Sequence, residues 1–126
     1  MDTGKLRNNT EFYDGFEPET EITLICVEKP EYNLHIYEGY FSDFFGSPSL
    51  DDNEWNGFTR DYQKMERSFG DCDEYILIDV KEYLDDLLTY QNRDYKYIET
   101  RKCYNILCDF LKFAIDNGFH ICVKVF

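Results

Sequence analysis

Residues 99–125, ETRKCYNILCDFLKFAIDNGFHICVKV, carry the reading on which the fold turns. Cys103, Ile106, Leu107, Phe110, Leu111 and Ala114 recur at intervals of three and four, which gathers them on one face of a helix. The spacing predicts a helix over 99–117. Asn117-Gly118 supplies its stop, because glycine adopts the left-handed backbone that ends helices at little cost. Phe119, Ile121, Val123 and Val125 then alternate with His120, Cys122 and Lys124, the two-residue period of a strand with one face more apolar than the other.

Working outward, Tyr75-Ile76-Leu77-Ile78 is a continuous apolar run and predicts a buried central strand. Asp79 follows where an N-cap belongs. In a helix over about 80–91, Val80, Tyr83, Leu84, Leu87 and Leu88 share one face opposite Lys81, Glu82, Asp85 and Asp86. Glu21–Glu28, with Ile22, Leu24, Ile25 and Val27, and Asn33–Tyr37 predict two strands around Lys29-Pro30-Glu31, a hairpin. From Gly39 to Gly70 aromatics lie among Asp, Asn, Gly and Ser without a strong period, with turn signals at Gly46-Ser47-Pro48-Ser49 and Asn56-Gly57. Within that stretch, Tyr62, Met65, Glu66 and Phe69 are spaced for a helix over about Thr59–Phe69. Residues 1–20 show no clean period and read as a loosely ordered N-terminal arm. Strands followed by two consecutive helices predict a single-domain α+β fold: a mixed or antiparallel sheet of about four to five strands with helices 80–91 and 99–117 packed on one face.

Composition then says what kind of surface this body carries. The 126 residues fit one domain, and 43% hydrophobic with 18% aromatic content separates the chain from disordered acidic tails. Against 13 Lys+Arg stand 26 Asp+Glu, a formal net charge of −13, alongside 11 Tyr, 11 Phe and one Trp. Such a surface repels phosphate backbones and anionic membranes and attracts basic proteins over about 8 Å in physiological salt. Residues 1–60 carry net −9 and residues 61–126 net −4, so the first half is the expected interaction face. The start of the chain lacks a basic segment followed by an apolar run, and nowhere do about 18 apolar residues occur together. With five cysteines, an odd number placed mostly in core-like segments, reduced thiols and a cytoplasmic setting are expected.

Motifs for chemistry are weak throughout. His120-x-Cys122 places two metal-type ligands on one strand face, but no second close pair completes four, and Cys103 and Cys108 diverge around a helix. Asp52-Asn53-Glu54-Trp55-Asn56-Gly57 resembles the opening of an EF-hand calcium loop and then departs from it, with Thr59, Arg60 and Gln63 where the motif needs an aliphatic residue, a ligand and a bidentate Glu. No metal and no cofactor are expected. His35 and His120 are the near-neutral acid–base candidates, each in a strand-like segment, and Cys72 sits in Asp71-Cys72-Asp73-Glu74, where neighbouring charge opposes a thiolate. No catalytic residues are assigned. The lysines and arginines are intermixed with acid, which disfavours direct nucleic-acid binding.

What remains is protein binding, since acidic groups steer encounter with a basic surface and aromatic side chains concentrate binding energy. Residues 37–62 combine the two, and Tyr40, Phe41, Asp43, Asp51, Asp52, Glu54, Trp55, Phe58, Asp61 and Tyr62 are the expected partner-binding set. The bland alternative is that many of these aromatics form a second part of the core. The chain reads as a non-catalytic inhibitor of a basic, nucleic-acid-handling protein, by analogy of size and composition with anti-CRISPR proteins of phages and mobile elements and with toxin-immunity proteins. An enzyme or ligand-binding domain with a pocket no motif reveals, and a self-associating assembly subunit, are the alternatives.

Overall fold

The structure, a computed structural model, describes residues 3–16, 19–46, 57–58, 74–77 and 79–125. After a short 3-10 helix at Thr3–Leu6 come β1 (Asn9–Phe12), β2 (Glu21–Cys26), β3 (Asn33–Tyr37) and α1 (Glu38–Phe45). Then follow β4 (Glu74–Ile76), α2 (Val80–Leu88), α3 (Ile98–Asn117) and β5 (Ile121–Val125). The strands make one mixed sheet in the order β1-β3-β2-β5-β4. β2 lies antiparallel to β3 and β5, β5 is antiparallel to β4, and β1 runs parallel to β3. This is the α+β architecture read from the sequence, and no helix of the described residues is long and apolar enough to cross a membrane.

Register explains which face is covered. Ile22 and Leu24 lie opposite Ile36 and Leu34 in β3 and opposite Val125 and Val123 in β5, while Cys26 lies opposite Ile121, so all eight side chains share one face. Every one of them is buried, in one cluster with Leu84 and Leu87 of α2 and Cys103, Leu107, Phe110, Leu111 and Ala114 of α3. A side chain such as Leu107, fully buried here, stabilises the fold by about 1.5–3 kcal/mol relative to leaving it in water. The residues between them, Glu21, Thr23, Ile25, Asn33, His35 and Lys124, line the opposite face.

Local signals fix the element ends. The Asp79 carboxylate accepts from the Lys81 and Glu82 backbone N–H groups at 3.1 and 3.4 Å, as an N-cap should. Gly118 takes φ +68° after α3, and its N–H and that of Phe119 return to the carbonyls of Ile115 and Ala114. In the hairpin, Asn33 Nδ2 donates to the Pro30 carbonyl at 2.9 Å and holds the turn.

Three expectations change. The run 75–78 does not supply a central strand: β4 is a three-residue edge strand with Ile76 48% exposed, because β2, flanked by β3 and β5, occupies the middle. Within the stretch read as a loosely ordered arm or irregular lead-in, residues 3–16 are built into the fold. β1 adds to β3 through long-range pairing that local periodicity does not record, and Leu6 and Phe12 are buried. Its outer edge is partly blunted, since Asn9 Oδ1 accepts the Glu11 N–H and the Thr10 carbonyl accepts those of Tyr13 and Asp14. From Glu38 to Phe45 the chain is helical, although no period was legible from Gly39 onward: Tyr40, Phe41, Phe44 and Phe45 lie on one buried helical face. The helix read over Thr59–Phe69 lies outside the described residues.

Replacing Asp79 with Ala should lower stability by about 1 kcal/mol in denaturant unfolding, with Asp79→Asn close to wild type, because either side-chain oxygen caps α2.

Candidate protein-interaction surface

Four residues of the expected partner-binding set belong to the core. Phe41 and Phe58 are 0% exposed and Tyr40 and Asp43 are 7% and 6%. Phe41 packs edge-on against Phe44 and Phe58, and Phe58 against Tyr83, while Tyr40 meets Phe12, Phe16 and Tyr37. The apolar surface of these rings outweighs any gain from exposing them, so the aromatics of α1 join the helices to the sheet rather than facing a partner. Asp51, Asp52, Glu54, Trp55, Asp61 and Tyr62 lie outside the described residues.

Asp43 has a different task from the one its charge suggests. Its side chain is 3% exposed and points at the segment before α3, where Oδ1 accepts the Lys96 N–H at 3.0 Å and Oδ2 the Tyr97 N–H at 3.3 Å. Arg93 completes the arrangement, with Nη2 donating to the Asp43 carbonyl at 3.0 Å and lying 3.9 Å from Oδ1. Gly46 takes φ +63° at the end of α1, a left-handed backbone that favours glycine, and a Cβ there would also have to displace the tip of the Arg93 side chain. The cation also faces the carbonyl end of α1, where positive charge is favourable.

The rest of the 89–97 segment is tied down in the same manner. Arg101 donates from Nη1 to the Gln91 carbonyl at 2.8 Å and from Nη2 to the Arg93 carbonyl at 2.9 Å. Its guanidinium lies 4.5 Å from the Tyr95 ring centroid and 5.4 Å from that of Tyr104. Tyr95 donates to the Tyr90 carbonyl and Tyr104 to that of Leu87, both at 2.7 Å, and burial pushes the Tyr95 phenol up to about 12. A segment without helix or strand is thus held by side chains that satisfy its backbone groups. It ends at Tyr97, 59% exposed, and α3 opens with Ile98, 79% exposed.

Charge is sorted by the same contacts. Arg93 and Arg101 are half-buried with donors committed to backbone carbonyls, and Arg7 donates to the Tyr32 hydroxyl at 3.1 Å. Glu11, Asp14, Glu19, Glu31, Asp94, Glu99 and Asp116 are exposed. With both partners among the described residues, two ion pairs join Lys or Arg to a carboxylate, Lys81–Asp85 and Arg93–Asp43. Burial raises the Tyr40 phenol, with Cys103, Glu99 and Glu11 adding to the shift.

The near-neutral groups are engaged elsewhere. On the sheet face away from the helices, His35 Nδ1 meets both the Glu21 carboxylate and the Thr23 hydroxyl, while Nε2 lies 2.9 Å from Asn33 Oδ1. The hydroxyl shares a nitrogen with the carboxylate instead of occupying the opposite one, which is not the geometry of a nucleophile relay. His120 is gripped by Glu28, whose two oxygens take its backbone N–H at 2.7 Å and face its Nδ1 at 2.5 Å. The Cys122 thiol turns to Glu74 at 3.6 Å, so His120 and Cys122 meet different carboxylates. Among the described residues no group of three or more His, Cys, Asp or Glu side chains could hold a metal ion. Burial raises the thiols of Cys26 (to about 11), Cys103, Cys108 and Cys122, which keeps them protonated. An open cleft of about 470 Å³ between α2 and α3, lined by Gln91, Arg101, Tyr104, Asn105, Cys108 and Lys112 among others, therefore offers hydrogen-bonding groups without a thiolate.

Comparison with protein-family models, with curated proteins and with solved structures returned no match to this chain.

Signals for this surface existed in the sequence. Tyr97-Ile98 immediately precedes a helix whose apolar face begins at Cys103, so neither residue is claimed by the core period. Asp43 carried no signal, because its partners are backbone groups more than 50 residues away.

Asp43→Ala should cost roughly 3 kcal/mol of stability, since it strands two buried N–H groups and the Arg93 cation. The Glu28 carboxyl is held below its ordinary value, first by the hydrogen bond from the His120 side chain and then by that from its backbone. Its contribution is present above the ordinary carboxylate value and lost as pH falls through the lowered one. In a proton-NMR titration, His120→Ala should move the Glu28 midpoint upward.

Proposed function

We propose that the chain is a non-catalytic, acidic protein-binding module that docks on a basic protein surface and acts there as an inhibitor. A nucleic-acid-handling protein is the natural target, because carboxylates can occupy a cleft built for phosphate. Inhibitors carried by phages or mobile elements, anti-CRISPR proteins among them, and toxin-immunity proteins work on this logic. One observation carries the reading: among the described residues, exposed carboxylates outnumber exposed lysines and arginines, on a chain of formal net charge −13. Two further features support it. Both histidines are engaged by neighbouring carboxylates, and the four described cysteines are buried and free, as suits a reducing cytoplasm.

Affinity capture from the chain's own cells across a salt series tests this. A basic protein should be retained at about 50 mM salt and released by about 500 mM, as screening shortens the reach of the acidic surface. Retention of no partner at low salt, or of a second copy whose association tightens with salt, would contradict the reading.

A further inference from the structure

We propose that His35, Glu21 and Thr23 form a proton switch on the sheet face away from the helices, worked at one ring nitrogen, Nδ1. Asn33 takes the other nitrogen out of play. Its Nδ2 donates to the Pro30 carbonyl at 2.9 Å and to Asn8 Oδ1 at 2.7 Å, so the amide cannot turn over without setting its oxygen against the Pro30 oxygen in the hairpin turn. Asn33 Oδ1 therefore faces His35 Nε2, 2.9 Å away. An acceptor in that position requires Nε2 to carry a hydrogen whatever the charge of the ring.

Nδ1 has two neighbours of different kinds: the Glu21 carboxylate, which only accepts, and the Thr23 hydroxyl, 3.2 Å away, which donates or accepts. With a proton on Nδ1 the ring is a cation that donates to Glu21, and the Thr23 hydroxyl donates to the same carboxylate at 2.8 Å. Without that proton a lone pair faces the carboxylate in direct contact, and two acceptors repel. The hydroxyl is already within reach and rotates to donate to Nδ1, whereas the carboxylate has no hydrogen to offer and swings away. Loss of one proton thus exchanges Glu21 for Thr23 as the partner of Nδ1 and leaves an unpaired carboxylate on the sheet face. Burial sharpens the exchange: Thr23 is 2% exposed and the side chains of His35 and Glu21 are 27% and 17%, so little water stands between the facing acceptors. The other titratable groups nearby among the described residues are Tyr37, opposite Glu21 in β3, Lys124, opposite Thr23 in β5, and Glu11 of β1, the strand beside β3.

NMR of the full chain between about pH 5 and 8 tests the switch. Imidazole nitrogen spectra should show Nδ1 of His35 losing its proton as pH rises while Nε2 keeps its own throughout. The side-chain carboxylate carbon of Glu21 should move at the same midpoint as His35. Glu21→Gln, which removes the charge and keeps the shape, should weaken the hold of His35 on its proton about tenfold. Loss of the proton from Nε2, or a Glu21 carbon that does not respond at the His35 midpoint, overturns the switch from the wild-type chain alone. A His35 midpoint unchanged in a folded Glu21→Gln variant overturns it as well.

Discussion

The carboxylate of Asp43 is the constraint around which the helical layer is arranged. Burying it is costly, and only close donors offset that cost. Those donors are the Lys96 and Tyr97 N–H groups, from a part of the chain that has no regular structure of its own, and the Arg93 cation stands 3.9 Å away. One group therefore determines how the chain leaves α2, how α1 ends, and where α3 begins. Hydrophobic burial across the sheet holds the fold together far more strongly, but it is non-directional and does not say where residue 97 must sit. A buried ion pair is weak evidence for added stability, and its better-supported contribution is to specify one arrangement among several of similar energy.

The same economy of contacts orders the neighbouring segment. Arginine is the side chain best able to satisfy several carbonyls with one planar group, and Arg101 does so for the segment between α2 and α3 by bonding the Gln91 and Arg93 carbonyls, while Arg93 bonds the Asp43 carbonyl of α1.

Periodicity made the sheet and the two long helices legible, because β2, β3, β5, α2 and α3 each repeat over enough residues for one face to declare itself. Asp79 and Gly118 were equally readable, since caps act through local backbone geometry. What escaped were features set by distant partners. β1 is a strand because β3 is beside it, and Ile76 sits at an edge because β2 holds the centre. The aromatics of α1 mix with Ser42 and Asp43, and only the fold shows that the acid among them faces inward. An acidic residue beside aromatics reads as a binding surface when its donors, being backbone groups, leave no mark in the sequence. Tyr97 and Ile98 are the reverse case, apolar residues that the core did not need.

Amide hydrogen exchange at Lys96 and Tyr97 tests the central claim most directly. If the Asp43 carboxylate orders this segment, both amides should be protected to an extent approaching the interior of α3, although they lie at the solvent-facing start of that helix. Exchange of both at the rate of an unprotected loop would contradict it.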